Sequence, residues 1–233
     1  LASVQSIEEA KTLIPSLPDI LDIKNPLEGA LGALDITTVA DIVGLVSNQC
    51  QTSATIGDLP MKAELINLAL VEMAASGVDY VKVGIFPDQE LIDCIGAMTS
   101  TITQLSVPVI AVLFADKMPS QKVIYQLKIS GFKGVMIDTA IKDGRHLLEH
   151  WGLLQLNCFI EEVTRYDMLC GLAGALRYED IGELQSLGAD YLGFRSALCK
   201  NQERTTILQV ELAEEIQRAM LNSEGRKGCQ LHE

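Results

Sequence analysis

Residues 20–35 read ILDIKNPLEGALGALD. Side chains alternate across a strand, so Leu21 and Ile23 fall on one face while Asp22 and Lys24 fall on the other. A lone buried ammonium is expensive. A lysine on the last turn of a buried strand is therefore either exposed or chemically used. Asn25-Pro26 and two nearby glycines then stop the strand. Aliphatic side chains on one face and a carboxylate with an ammonium on the other suit a closed parallel barrel. There, one face meets covering helices and the other meets the barrel axis.

The remaining chain repeats this plan. Strand-like runs are LASV from residue 1, ILDIK from 20, QTSATIG from 51, YVKVGI from 80, VPVIAVLF from 107, GVMID from 134, MLCGLAG from 168 and YLGFR from 191. Helical patterns lie between them. Residues 62–77, KAELINLALVEMAASG, space Leu65, Leu68, Ala69 and Val71 as a helix does. Gly77, Gly131 and Gly188 precede three of the strands and are expected helix C-caps. Alternating strands and helices with short connections imply parallel pairing. Eight such units in 233 residues fit a (β/α)8 TIM barrel, which takes roughly 250 residues. No Gly-x-Gly-x-x-Gly follows the first strand to support a doubly wound sheet. A single domain is expected: residues 1–222 as the barrel and catalytic domain, then a polar C-terminal tail at 223–233.

The formal net charge is −13, which argues against nucleic-acid binding. An anionic small molecule would need a local cluster of cations. The longest apolar run, VPVIAVLFA, is too short to span a bilayer as a helix. The six cysteines form no Cys-x-x-Cys pair and read as reduced thiols. The opening LASVQSIEEAK carries no signal-peptide pattern. A cytoplasmic protein is expected, and a homo-oligomer paired through its barrel helices is a further expectation.

Barrel chemistry sits at the C-terminal strand ends. Those ends offer Lys24, Lys82, Asp138 and Arg195, all on even-numbered strands, which contribute to the same interior layer. A charge network that merely closes the barrel top is the structural alternative. Against it, two lysines in one ring repel each other. Repulsion and desolvation favour the neutral amine, the nucleophile of Schiff-base chemistry. Asp138 could act as acid or base beside it. Lys142, in DTAIKDG, is either a solvated loop residue or a phosphate or proton partner. The small residues of GLAGAL, with Gly174 and Ala175, and Arg195-Ser196 in GFRSALCK lie where barrels often hold phosphate. HLLEH at 146–150 matches a zinc pattern. Yet Leu147, Leu148, Trp151 and Leu154 suggest a core stripe on that helix. Glu161 and Glu162, read as three turns further along it, could not fold back to a metal. No metal is expected.

Taken together, DIKNPLEGALGA, SATIGDLP, DYVKVGI, MIDTAIKDG, LAGAL and GFRSALCK resemble the (5-formylfuran-3-yl)methyl phosphate synthases, over nearly the whole chain. The resemblance implies a lyase on a (β/α)8 barrel that works without metal or organic cofactor. Such an enzyme condenses two molecules of glyceraldehyde 3-phosphate, with loss of phosphate and water, into a furan precursor of methanofuran-type one-carbon carriers. It implies a Schiff base on Lys24, with Lys82, Asp138 and Lys142 as further catalytic residues. Substrate-binding positions are expected at Asp22, Gly174, Ala175, Arg195 and Ser196. Departures lie in the loops: alanines in GALGA and LAGAL where serine is expected, Ser196 in place of glycine, and no glycine in NQERTTI. Two rival readings share this site, a class I aldolase on another phosphorylated sugar and a non-catalytic sugar-phosphate-binding barrel.

Overall fold

The computed structural model describes residues 1–117, 121–141 and 143–227. Strands and helices alternate along the chain: β1 (Ala2–Val4), α1 (Ile7–Leu13), β2 (Ile20–Ile23), α2 (Ile36–Val46), β3 (Gln51–Thr55) and α3 (Ala63–Ala74). Then come β4 (Tyr80–Gly84), α4 (Leu91–Gln104), β5 (Val109–Phe114), α5 (Gln121–Ile129), β6 (Gly134–Asp138), α6 (Leu147–His150) and α7 (Leu153–Arg165). The chain continues through β7 (Leu169–Leu172), α8 (Ile181–Ser186), β8 (Tyr191–Leu192) and α9 (Val210–Lys227). The strands form one parallel sheet in sequence order. A parallel bridge between Ala2 and Phe194 closes it, with Ser3 N–H donating to the Phe194 carbonyl and Phe194 N–H to that of Leu1. This is the (β/α)8 barrel that the strand pattern predicts, in a single domain.

Period-two alternation sorts the buried side chains into two groups. Leu21, Ile23, Val81, Val83, Val109, Ala111, Val135 and Ile137 pack outward against the helices. Ile110, Val112, Phe114, Met136 and Ala173 form a separate apolar cluster around the barrel axis. Helices answer with matching faces, for example Leu156, Phe159, Ile160 and Val163 of α7.

Two strands enter the barrel by the same device. Gly-Val-Asp-Tyr (77–80) precedes β4 and Gly-Ala-Asp-Tyr (188–191) leads into β8. Both glycines take positive φ, +88° and +82°, a backbone region that L side chains rarely adopt. Each aspartate then accepts from the backbone of the preceding strand, Asp79 from Thr52 N–H and Asp190 from Cys170 N–H, both at 2.7 Å.

One sequence expectation is corrected, and two helices carry detail beyond the sequence. On α3 the helical spacing holds but the phase differs: Ile66, Leu70 and Met73 are buried, while Leu65, Leu68 and Val71 lie exposed. One apolar periodicity cannot tell the covered stripe from an adjacent exposed one. The helix expected from HLLEH onward is two helices, because the chain breaks at Trp151-Gly152. Trp151 turns inward and its indole N–H donates to the Ala115 carbonyl at 3.1 Å, and Leu154 is 77% exposed, not core. The last helix, α9, runs to Lys227, and residues 228–233 lie outside the described residues. No helix among the described residues is long and apolar enough to cross a membrane.

Candidate active site

At the C-terminal end of the barrel lies a cavity of about 520 Å³, within the range of small-molecule sites. Lys24, Lys82, Asp138 and Arg195 all line it, as do Asp22, Gly174, Ala175 and Ser196. The strand-end residues therefore meet, as the alternation requires. Six cations face the cavity, the two lysines with Arg145, Arg177, Arg195 and Arg204, against the anions Asp22, Asp138 and Glu203. On a chain of net charge −13, this is the local cationic cluster that an anionic ligand would need.

The floor is a buried polar network. Asp22 is fully buried and its Oδ1 lies 2.6 Å from Lys82 Nζ, a lysine with a side chain only 3% exposed. Ser53 Oγ donates to the same oxygen at 2.7 Å and Ser3 Oγ donates to Oδ2 at 2.8 Å. The β1–β2–β3 register places Ser3, Asp22 and Ser53 side by side, and Lys82 reaches Asp22 from β4. Burial pushes the Asp22 carboxyl upward. The opposing pull of Lys82 and Lys24, with hydrogen bonds from Lys82 and Ser53, outweighs burial and holds it below the usual carboxylate range. Asp22 thus engages Lys82 in a paired, hydrogen-bonded setting, the condition under which a buried charge is tolerable.

Lys24 follows β2 directly. Its N–H extends the ladder to the Val4 carbonyl at 3.0 Å, and its residue is 8% exposed. Asp138 ends β6, 4% exposed, and accepts from Thr139 N–H at 2.7 Å. The loop after it is gripped by Asp116, which accepts from the N–H groups of Ala140 and Ile141. Asp58 does the same for the loop after β2, accepting from Ala30 and Leu31. In both cases a carboxylate from a neighbouring loop steadies the segment beyond a candidate catalytic residue. Lys142 lies outside the described residues.

The loop after β7 presents backbone. Gly174 has φ +113° and Ala175 has φ +49°. A Cβ added at Gly174 would stand 3.0 Å from Thr139 Cγ2, so glycine permits the close approach of two loops. Among the described residues, the N–H groups of Gly174 and Ala175 have no hydrogen-bond partner. Ser196 opens a short helical turn, Ser196–Leu198, on the next loop.

Arg195 lines the cavity but spends its donors within the protein. An arginine carries five N–H donors, and here all five are committed within the protein. Nε donates to the Arg204 carbonyl, Nη1 to the Ser3 carbonyl and Glu9, and Nη2 to Glu9 and the Thr206 carbonyl. Its two-pronged pair with buried Glu9 ties the β8 loop to α1 across the barrel seam. The sequence contains no local sign of this pairing, because Glu9 lies 186 residues away. It also hides Arg204, a half-buried cation at the mouth. Burial lowers the Arg204 guanidinium most, and Asp138 is the largest influence raising it. Of the HLLEH histidines, His146 stands at the N-cap of α6 and lies 3.3 Å from Asp180. Among the described residues no group of three or more His, Cys, Asp or Glu could hold a metal.

Comparison with known proteins identifies the family. The model of the 4-HFC-P synthases matches residues 1–217. The chain is 35% identical over 227 residues to the (5-formylfuran-3-yl)methyl phosphate synthase of Methanococcus aeolicus, covering 93% of this chain and 97% of that protein. It is also 35% identical over 214 residues to the enzyme of the same name from Methanocaldococcus jannaschii, covering 88% and 91%. Among solved structures, phosphoribosyl anthranilate isomerase from Thermococcus kodakaraensis shares the fold, with a TM-score of 0.64 at 14% identity and coverage of 95% and 97%. A barrel with these strand-end residues, matched along almost its full length by one family, belongs to the 4-HFC-P synthases.

Proposed function

We propose that this protein condenses two molecules of glyceraldehyde 3-phosphate into (5-formylfuran-3-yl)methyl phosphate, with loss of phosphate and water, through a Schiff base on Lys24. One observation carries the role of Lys82. Two lysines line the cavity, and the Asp22 carboxylate pairs with Lys82 Nζ at 2.6 Å. An amine engaged in such a pair is a poor nucleophile but a good fixed charge. The covalent role falls on Lys24, which lines the cavity at the end of β2 where the resemblance to the family puts the Schiff base, and Lys82 stabilises developing oxyanion charge.

In this reading, Lys24 forms an iminium with one triose phosphate and so acidifies the adjacent carbon. Asp138, at the end of β6, moves that proton; Lys142 is the other candidate for this step. The enamine then attacks the aldehyde of the second triose. Hydrolysis of the iminium that this attack re-forms frees Lys24, and elimination of phosphate, ring closure and dehydration give the aromatic furan. The N–H groups of Gly174 and Ala175, with Ser196, hold one substrate phosphate, as barrels commonly do at this position. The apolar wall of Met136 and Ala173 limits water beside the iminium.

The test is incubation with glyceraldehyde 3-phosphate alone, followed by liquid chromatography–mass spectrometry and a count of released phosphate. One phosphate per furan aldehyde phosphate is expected. A linear condensation product without phosphate release would point to an aldolase, and no product from folded protein to a binding barrel.

A further inference from the structure

We propose that Arg204 binds a substrate phosphate at the β8 side of the mouth and that Arg195 is its positioning residue. This rests on the reading above that both substrates are phosphorylated, which calls for two anion points. The backbone of Gly174 and Ala175 supplies one.

Elimination among the cavity cations leads to the other. Arg195 has all its donors committed to protein. Arg145 is paired with Asp143 through both Nε and Nη2 at 2.9 Å. Arg177 is well exposed and lies 3.7 Å from Glu149. Arg204 alone of the four arginines makes no ion pair among the described residues. Its one side-chain bond, from Nη2 to the neutral carbonyl of Gly29 at 2.8 Å, leaves most of its fork for a ligand. A planar fork of donors matches phosphate oxygens well.

The loop that carries Arg204 is built, not loose. Arg195 holds its backbone through the Arg204 and Thr206 carbonyls, at 2.7 and 3.3 Å. Thr206 Oγ1 donates back to the Lys200 and Glu203 carbonyls, at 2.9 and 2.8 Å. Asn201 and Gln202 both take φ +57°, a strained setting for such residues that persists where the surroundings enforce it. From this loop Arg204 reaches toward the segment after β2, while Gly174 and Ala175 lie on the β7 side. The two anion points therefore flank β8.

A purely structural role, clamping the β2 loop through Gly29, is the competing explanation, and kinetics separate the two. The experiment compares wild type with Arg204→Gln, Arg204→Lys and Arg195→Lys. Readouts are steady-state kinetics on glyceraldehyde 3-phosphate, calorimetric titration with inorganic phosphate, and thermal melting. Loss of a charge-assisted contact should raise KM and weaken phosphate binding by roughly 10- to 100-fold in Arg204→Gln, with a much smaller change in kcat. Arg204→Lys should recover part of both. Arg195→Lys should raise KM although Arg204 is intact; if that variant does not fold, the Arg204 pair still decides the phosphate contact. Unchanged KM and phosphate affinity in Arg204→Gln, or a change in melting alone, would overturn the proposal. If wild type forms no furan, the reaction assignment fails separately, and the phosphate titration still decides the role of Arg204.

Discussion

On one side of the barrel axis, β1 to β4 turn Ser3, Asp22, Ser53 and Lys82 inward; on the other, β5 to β7 turn in Ile110, Val112, Phe114, Met136 and Ala173. Both sides are buried, and each solves that problem differently. On the polar side the groups satisfy one another: Asp22 alone accepts from Ser3, Ser53 and Lys82. The apolar residues opposite have nothing to satisfy. Phe114 stacks on Phe86 with ring centroids 4.7 Å apart and fills the space. The contrast teaches that each side depends on the other. A dry wall strengthens the electrostatics of the polar network opposite it, and a fully paired network keeps its charges from being an intolerable cost beside that wall.

The largest way to sharpen this comparison is Lys24→Ala. Activity should fall by roughly 10³-fold or more, as on loss of a covalent nucleophile, with the fold retained. Borohydride reduction with substrate should then trap no lysine adduct. An adduct on Lys82 in that variant would overturn the division of roles between the lysines.

A matched pair comes next. Asp22→Asn removes the buried partner of Lys82 and should cost about 3–5 kcal/mol, and Phe114→Ala should cost a similar ~3–5 kcal/mol through its cavity, both read from urea midpoints. Only the first should alter pH dependence. The folded-state pKa of Asp22 is depressed, so its contribution is complete above the unfolded value of about 3.9. It is lost as pH falls through the lowered folded value. Wild type should therefore lose stability below about pH 4 more steeply than Asp22→Asn, whereas Phe114→Ala should follow the wild-type slope.

A smaller test places polarity on the wrong side. Val112→Thr should cost about 1–3 kcal/mol, because the new hydroxyl faces apolar neighbours without a partner. A neutral result would mean that water reaches the apolar wall. The smallest effect belongs outside the barrel: Leu68, 60% exposed on α3, should tolerate Glu within about 0.5 kcal/mol. A drop in mass by light scattering in that variant would place Leu68 in a contact between copies of the chain.

The eight strands and their inward residues were legible because alternation is local: each strand states by itself which side chains share a face. Thus Asp22, Lys24, Lys82 and Asp138 can be named from three short runs of sequence and are found lining one cavity. Helix phase was less legible. On α3, two apolar stripes sit at helical spacing, and only packing decides that Ile66, Leu70 and Met73 are the covered one. The break at Trp151-Gly152 escaped for a related reason, since it depends on Trp151 finding the Ala115 carbonyl.

What the amino-acid sequence determined by itself was the barrel, its family resemblance and the polarity of each strand, all properties of short segments read in order. What only the tertiary structure decided was which charges are already partnered. Glu9 claims Arg195 from across the barrel seam, Asp22 claims Lys82, and Arg204 is left facing the cavity. Charge is written in the chain, but ion pairing depends on distances between residues far apart in sequence, and those exist only after the barrel has closed.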